Sequence, residues 1–228
     1  MEPKIKGKAF NYNDTRDRKF YDVFVWMFHP LAKIVFKTQY IGRENVPKTG
    51  SLIIASNHRN SYDPGLIAAA RVRKIHYMAK LELFNLNKLA SWMLRHLNAF
   101  PISRGTGDQR SLNYAIRLVE EGKVLGIFPE GTRSKDGEIH RFKAGAFTLA
   151  KEAGAEILPV VLDGTKTLIK KNLAFNWGNR ITVRVLPPVP AERVAALETH
   201  ELMQEVHERM CTALGEVRNE KLKVKDQK

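Results

Sequence analysis

The chain has 228 residues, 43% of them hydrophobic and 27% charged. That composition is globular, supports a sizeable core and excludes a mostly disordered chain. The formal net charge is +14 and Cys211 is the single cysteine; this excludes a disulfide framework and a cysteine-built zinc site, and it makes the surface attractive to nucleic acid, acidic headgroups, acidic protein or a phosphorylated substrate.

The charge is spread along the chain. Residues 1–40 hold eight basic and four acidic residues, and residues 218–228 hold five and two. No long polybasic block is present, which speaks against a nucleic-acid tail. The first twenty residues are polar and basic and lack the apolar core of a secretory signal. The most apolar stretch, residues 20–36 (FYDVFVWMFHPLAKIVF), is interrupted by Asp22, His29, Pro30 and Lys33. It is too short and too polar to span a bilayer. The run VFVWMF is apolar all around a helix, and Arg16, Arg18, Lys19, Lys33 and Lys37 flank or interrupt the stretch. This predicts a helix lying in a lipid interface, with Phe24, Trp26 and Phe28 in the acyl boundary. The alternative is a fully buried first helix kinked at Pro30.

After a turn-rich connector at 42–50 the pattern alternates. SLIIA (51–55) predicts a buried strand. Residues 63–72 predict a helix with Asp63 as N-cap and Pro64 at its first position. A strand follows at 74–79, helical periodicity at 81–97, an extended piece at 100–102 and a helix at 108–121 closed by Gly122. VLGIF (124–128) predicts a strand, 142–153 a helix closed by Gly154, ILPVVL (157–162) and ITVRVL (181–186) two strands, and 191–214 one long amphipathic helix. This order predicts a single α/β domain: a mixed, largely parallel central sheet flanked by helices, preceded by the interfacial segment. The division is 1–40, 41–217 and a charged tail at 218–228. In such a sheet, ligands sit beyond the carboxyl ends of the strands.

Three polar loops follow apolar strands there. In S-N-H-R-N-S-Y-D (56–63), His58 and Asp63 are five residues apart. On a regular helix they would diverge by roughly 140°. In a loop that restarts as a helix at Pro64 they can meet, the carboxylate fixing one imidazole nitrogen and leaving the other as a base. Read alone, a helix cap beside a hydrogen-bonded loop histidine is the plainer reading of the pair. In P-E-G-T-R-S (129–134), a glycine, two hydroxyls and Arg133 offer an anion pocket, with Lys143 and Gly145 nearby at a predicted helix start. Alone, a solvated turn with a surface arginine is the plainer reading. P-I-S-R (101–104) places Arg104 after another apolar piece, where a surface charge is the plainer reading. No phosphate-binding G-x-x-x-x-G-K-[ST] loop, no G-x-G-x-x-G after a strand, no G-x-S-x-G elbow, no metal-spaced histidines and no RNA-binding motif occur.

Together, NHRNSYD (57–63), NAFPISR (98–104), FPEGTRS (128–134) and LPVVLDG (158–164), in this order, resemble the four blocks of the glycerolipid acyltransferase family, nearest its bacterial 1-acyl-sn-glycerol-3-phosphate branch. The resemblance covers about residues 20–190. Two positions depart from the pattern: Asn98 stands where glycine usually opens the second block, and Ser103 stands where an acidic or amide residue is common. Asparagine tolerates left-handed backbone better than most residues. The resemblance implies acyl transfer from a thioester, acyl-CoA or acyl-carrier protein, to the hydroxyl of a glycerol phosphate lipid, lysophosphatidic acid above all. It implies His58 as general base and Asp63 as its orienting partner. Arg104, Glu130, Gly131, Thr132 and Arg133 would form the acceptor site, with Lys143 as an added phosphate contact. It implies no metal and no cofactor, an anionic phospholipid membrane as partner, no nucleic acid, and residence on the cytoplasmic face of the cell membrane. Glycerol-3-phosphate or another lysophospholipid remains an alternative acceptor, and a non-catalytic lipid-binding module is the alternative outside enzymes.

Overall fold

The computed structural model describes residues 4–5, 8–103, 108–165 and 180–226. A short antiparallel pair, β1 (Lys4–Ile5) and β2 (Lys8–Ala9), precedes helix α1 (Lys19–Val35). Seven strands then build one sheet: β3 (Gln39–Ile41), β4 (Leu52–Ser56), β5 (Ile75–Lys80), β6 (Ala99–Ile102), β7 (Val124–Ile127), β8 (Glu156–Asp163) and β9 (Thr182–Val185). Their order is β3-β9-β8-β4-β7-β5-β6. Every pairing is parallel except β8 with β9. The sheet is therefore mixed and largely parallel, as the alternating pattern predicts.

The helices are α2 (Asp63–Ala69), α3 (Leu81–Asn85), α4 (Lys88–His96), α5 (Gln109–Glu120), α6 (Gly145–Glu152), α7 (Ala191–Ala196) and α8 (Thr199–Asp226). They cover both faces, which is why β4 is buried at all five positions. Ile53 and Ala55 pack with Leu118, Phe147, Leu202 and Val206 on one side. Leu52 and Ile54 pack with Leu66, Ile67 and Phe84 on the other.

Two predicted helices are each broken in two. The 81–97 pattern stops at Leu86, where the Asn87 side chain takes the Ala90 N–H and restarts α4. The 191–214 pattern breaks at Leu197, whose backbone is extended (ψ 149°), before α8 begins. Residues 218–226, set apart by charge, continue α8 rather than leaving the fold. Asn98 does adopt left-handed backbone (φ 59°), in the place where glycine is usual, and its Oδ1 accepts the Arg18 N–H at 2.9 Å.

His76, on β5, is 2% exposed. Burial pushes its pKa down to about 4, against the pull of Asp17 at 3.5 Å. The unfolded chain takes up this proton near pH 6.5 and the folded chain only near pH 4, so the fold loses stability as pH falls through that window. The expected loss is about 3 kcal/mol, read by denaturant titrations at several pH values, and His76→Gln flattens the dependence.

Candidate active site

β4 lies between β7 and β8, and the chain returns to opposite sides of it. The loop leaving β4 therefore opens into the crevice where strand order reverses. Asn57 anchors the loop's start. Its amide donates to Leu162 O at 2.9 Å and accepts from Leu162 N at 2.8 Å, so a side chain continues the β4–β8 ladder by one step.

The next residue is His58. Its Nδ1 lies 2.8 Å from Asp63 Oδ2. With a carboxylate as acceptor, Nδ1 carries the proton and Nε2 holds the free lone pair. The imidazole also stacks on Phe128, centroids 4.1 Å apart and planes 21° apart, so the ring is fixed on its face as well as its edge. Phe128 in turn stacks on Tyr77, which lies over Gly126 at a spot that any Cβ would fill.

Asp63 is not the N-cap that its place before Pro64 predicts. It is the first residue of α2, and its carboxylate turns back into the loop. Oδ2 accepts from Arg59 N at 2.6 Å and Asn60 N at 2.7 Å as well as from His58. One buried oxygen thus folds the loop and orients the histidine.

Glu130 is 5% exposed and is also turned inward. Oε1 accepts from His58 N at 3.0 Å and Oε2 from His140 N at 3.1 Å. Its carboxylate ties the β4 loop to the β7 loop, where the resemblance implies a contact with the acceptor. Ser134 N adds a bond to His58 O at 2.8 Å. The cations lie outward. Exposed Arg133 donates to Ser61 Oγ at 2.9 Å, bridging the two loops above the dyad. Thr132 is exposed beside it. Gly131 has φ 72°, and a Cβ there would sit 3.1 Å from Lys143 Nζ, so the lysine lies over the turn. Lys143 stands two residues before α6 rather than at its first turn. Arg104 lies outside the described residues.

A second network was hidden in the sequence. Asp163, at the end of β8, accepts from Arg59 Nη1 at 2.8 Å and from Lys221 Nζ at 2.5 Å. Burial raises its pKa, but Lys221 and Arg59 outweigh that and leave the carboxyl below its usual range. Arg218 reaches the same carboxylate at 3.8 Å and holds Glu138 Oε1 and Gly137 O, each at 2.7 Å. The far end of α8 thereby clamps both loops beside His58. Among the described residues, no three His, Cys, Asp or Glu side chains converge to hold a metal ion.

A hydrogen-bonded histidine–aspartate pair thus stands at the carboxyl end of a mostly parallel sheet, with Arg133 and Lys143 exposed on the neighbouring loop. Residues 37–163 match the Acyltransferase family model, and the chain belongs to that family. It is 32% identical over 171 residues to the 1-acyl-sn-glycerol-3-phosphate acyltransferase of Bacillus subtilis, covering 73% of this chain and 84% of that one. The Borreliella burgdorferi enzyme of the same name is 28% identical over 178 residues, covering 78% and 71%. The crystal structure of the 1-acyl-sn-glycerophosphate (LPA) acyltransferase PlsC from Thermotoga maritima superposes with a TM-score of 0.69 at 28% identity, covering 85% of this chain and 78% of that one.

Proposed function

We propose that this chain transfers a fatty acyl group from a thioester, acyl-CoA or acyl-carrier protein, to the sn-2 hydroxyl of 1-acyl-glycerol-3-phosphate, giving phosphatidic acid. The observation that carries the reading is the 2.8 Å bond from His58 Nδ1 to Asp63 within the first block. His58 Nε2 takes the proton of the acceptor hydroxyl as its oxygen attacks the thioester carbonyl carbon. The tetrahedral intermediate collapses, the carbon–sulfur bond breaks, and the imidazolium returns the proton to the leaving thiolate. Asp63 stabilises the transient imidazolium. No covalent enzyme intermediate arises. The thioester supplies the driving force, so no metal or cofactor is called for.

Arg133 and Lys143 bind the acceptor's phosphate, an arginine gripping it with two parallel bonds; Arg104 joins them. Arg133→Ala raises the Michaelis constant for the phosphorylated acceptor about 10–100-fold, the worth of one or two charged hydrogen bonds, and leaves that for the thioester nearly unchanged. An equal effect on both substrates would remove the phosphate role.

The enzyme works on an anionic membrane surface, peripheral or monotopic on the cytoplasmic face. Among the described residues no helix is long and apolar enough to cross a membrane. The two faces of α1 divide the expected roles. Phe24 and Phe28 stack on each other and against Gly65 of α2, so they pack on the domain rather than entering lipid. Trp26, Met27 and Ile34 face outward. The assay offers purified protein both thioesters, with glycerol-3-phosphate and lysophosphatidic acid, and separates products by mass. Phosphatidic acid is expected; acylation of glycerol-3-phosphate alone overturns the acceptor.

A further inference from the structure

Exposed apolar side chains are not scattered over this protein. Among the described residues, twelve large hydrophobic side chains are exposed. Five lie on α1: Val23, Trp26, Met27, Leu31 and Ile34. Their spacing keeps them on one stripe of the helix, opposite buried Tyr21 and Ala32. Five more lie on α3, α4 and the joint between them: Leu83, Leu86, Leu89, Trp92 and Met93. On α4, Leu89, Trp92 and Met93 share the face opposite buried Ser91. Leu86 and Leu89 are 68% and 72% exposed, as open as Trp26 at 70%. The eleventh, Tyr62, stands in the catalytic loop beside Asp63, and only Leu222 lies elsewhere.

The two stripes join. Phe20, at the start of α1, meets Trp92 of α4 edge-on with centroids 5.0 Å apart. α3 begins directly after β5, at the same end of the sheet as the loop that holds His58. The apolar surface therefore begins at the same end of the sheet as the His58 loop, where Tyr62 is exposed.

We propose that the α3–α4 segment is a second membrane-inserting element, which seats the crevice on an anionic bilayer together with α1. It rests on the interfacial reading of α1. Charge selects the occupant. Lys19, Lys33 and Lys37 on or after α1, and Lys88 and Arg95 on α4, are exposed around the stripes. Against them stand Glu82 and Asp22, the latter paired with Lys74 at 2.9 Å. A second copy of this chain would bring lysine against lysine, whereas anionic headgroups match the fringe while the acyl boundary takes the leucines and tryptophans. Two elements anchored about one crevice hold its mouth against the leaflet, so a lysolipid enters sideways without crossing water.

The test is co-sedimentation with vesicles of phosphatidylcholine, with and without phosphatidylglycerol, for three proteins: wild type, Leu86→Ser/Leu89→Ser, and Trp26→Ser/Met27→Ser. All changed residues are exposed, and circular dichroism checks the fold. The Leu86/Leu89 pair is expected to lower partitioning onto anionic vesicles about tenfold, because two leucines leave the acyl boundary. Its turnover of a short-chain lysolipid below its micelle concentration stays at the wild-type value. Unchanged partitioning of this pair overturns the proposal, and if the Trp26/Met27 pair still loses binding, the interfacial reading of α1 stands without it. A wild-type dimer that the Leu86/Leu89 pair converts to monomer by light scattering, with vesicle binding intact, also overturns it and makes the face a contact between copies. Acyl transfer to the soluble lysolipid is read separately, so loss of catalysis is not confused with loss of seating.

Discussion

His58→Ala lowers turnover about 10²–10⁴-fold, the usual worth of a positioned general base, while the melting temperature stays close to wild type. The imidazole is 20% exposed, its face stacked on Phe128 and its edge bonded to Asp63 at the carboxyl end of the sheet, outside the packed core. Removing it opens no core cavity. The backbone of residue 58 keeps its bonds to Glu130 and Ser134, which do not involve the ring. Steady-state rates with saturating thioester and lysophosphatidic acid, beside a thermal melt, check both halves. A correctly folded variant with near wild-type turnover would remove the imidazole from the chemistry and leave the dyad a structural bond.

The elements that were legible in the sequence are those whose signal is local. Residues 51–55 are apolar without alternation because helices cover both faces of β4, and that shows in five consecutive letters. His58 and Asp63 were legible as a pair because a proline restarts the helix after them. What escaped depends on partners far along the chain. Arg59 and Asp163 are 104 residues apart, and Asp163 and Lys221 are 58 apart, so nothing local marks Asp163 as the hub of both loops. Glu130 has the residue type of a substrate contact, and only the fold brings the N–H groups of His58 and His140 to its two oxygens. The faces of α1 were ambiguous for a different reason. A helix apolar all round does not say which side packs, and Gly65, which makes room for Phe28, lies on another element.

Asp63 gives the second large effect, and two substitutions separate its roles. One oxygen, Oδ2, accepts from the His58 ring and from the N–H groups of Arg59 and Asn60. In Asp63→Asn the amide oxygen can still take the two backbone N–H groups, so the loop holds its shape. The negative charge that favours the imidazolium is gone, and turnover falls by about 10²–10⁴ with little change in the unfolding midpoint. In Asp63→Ala the backbone donors lose their acceptor in a buried place, since Asp63 is 0% exposed. That variant loses a comparable share of activity and about 2–3 kcal/mol of stability as well, more than a helix cap alone contributes. Urea unfolding and initial rates on both proteins separate the outcomes. An asparagine variant with full turnover would show that the charge is not used. An alanine variant as stable as wild type would show that Glu130 and Ser134 hold the loop without Asp63, leaving the carboxylate with the imidazole as its one remaining task.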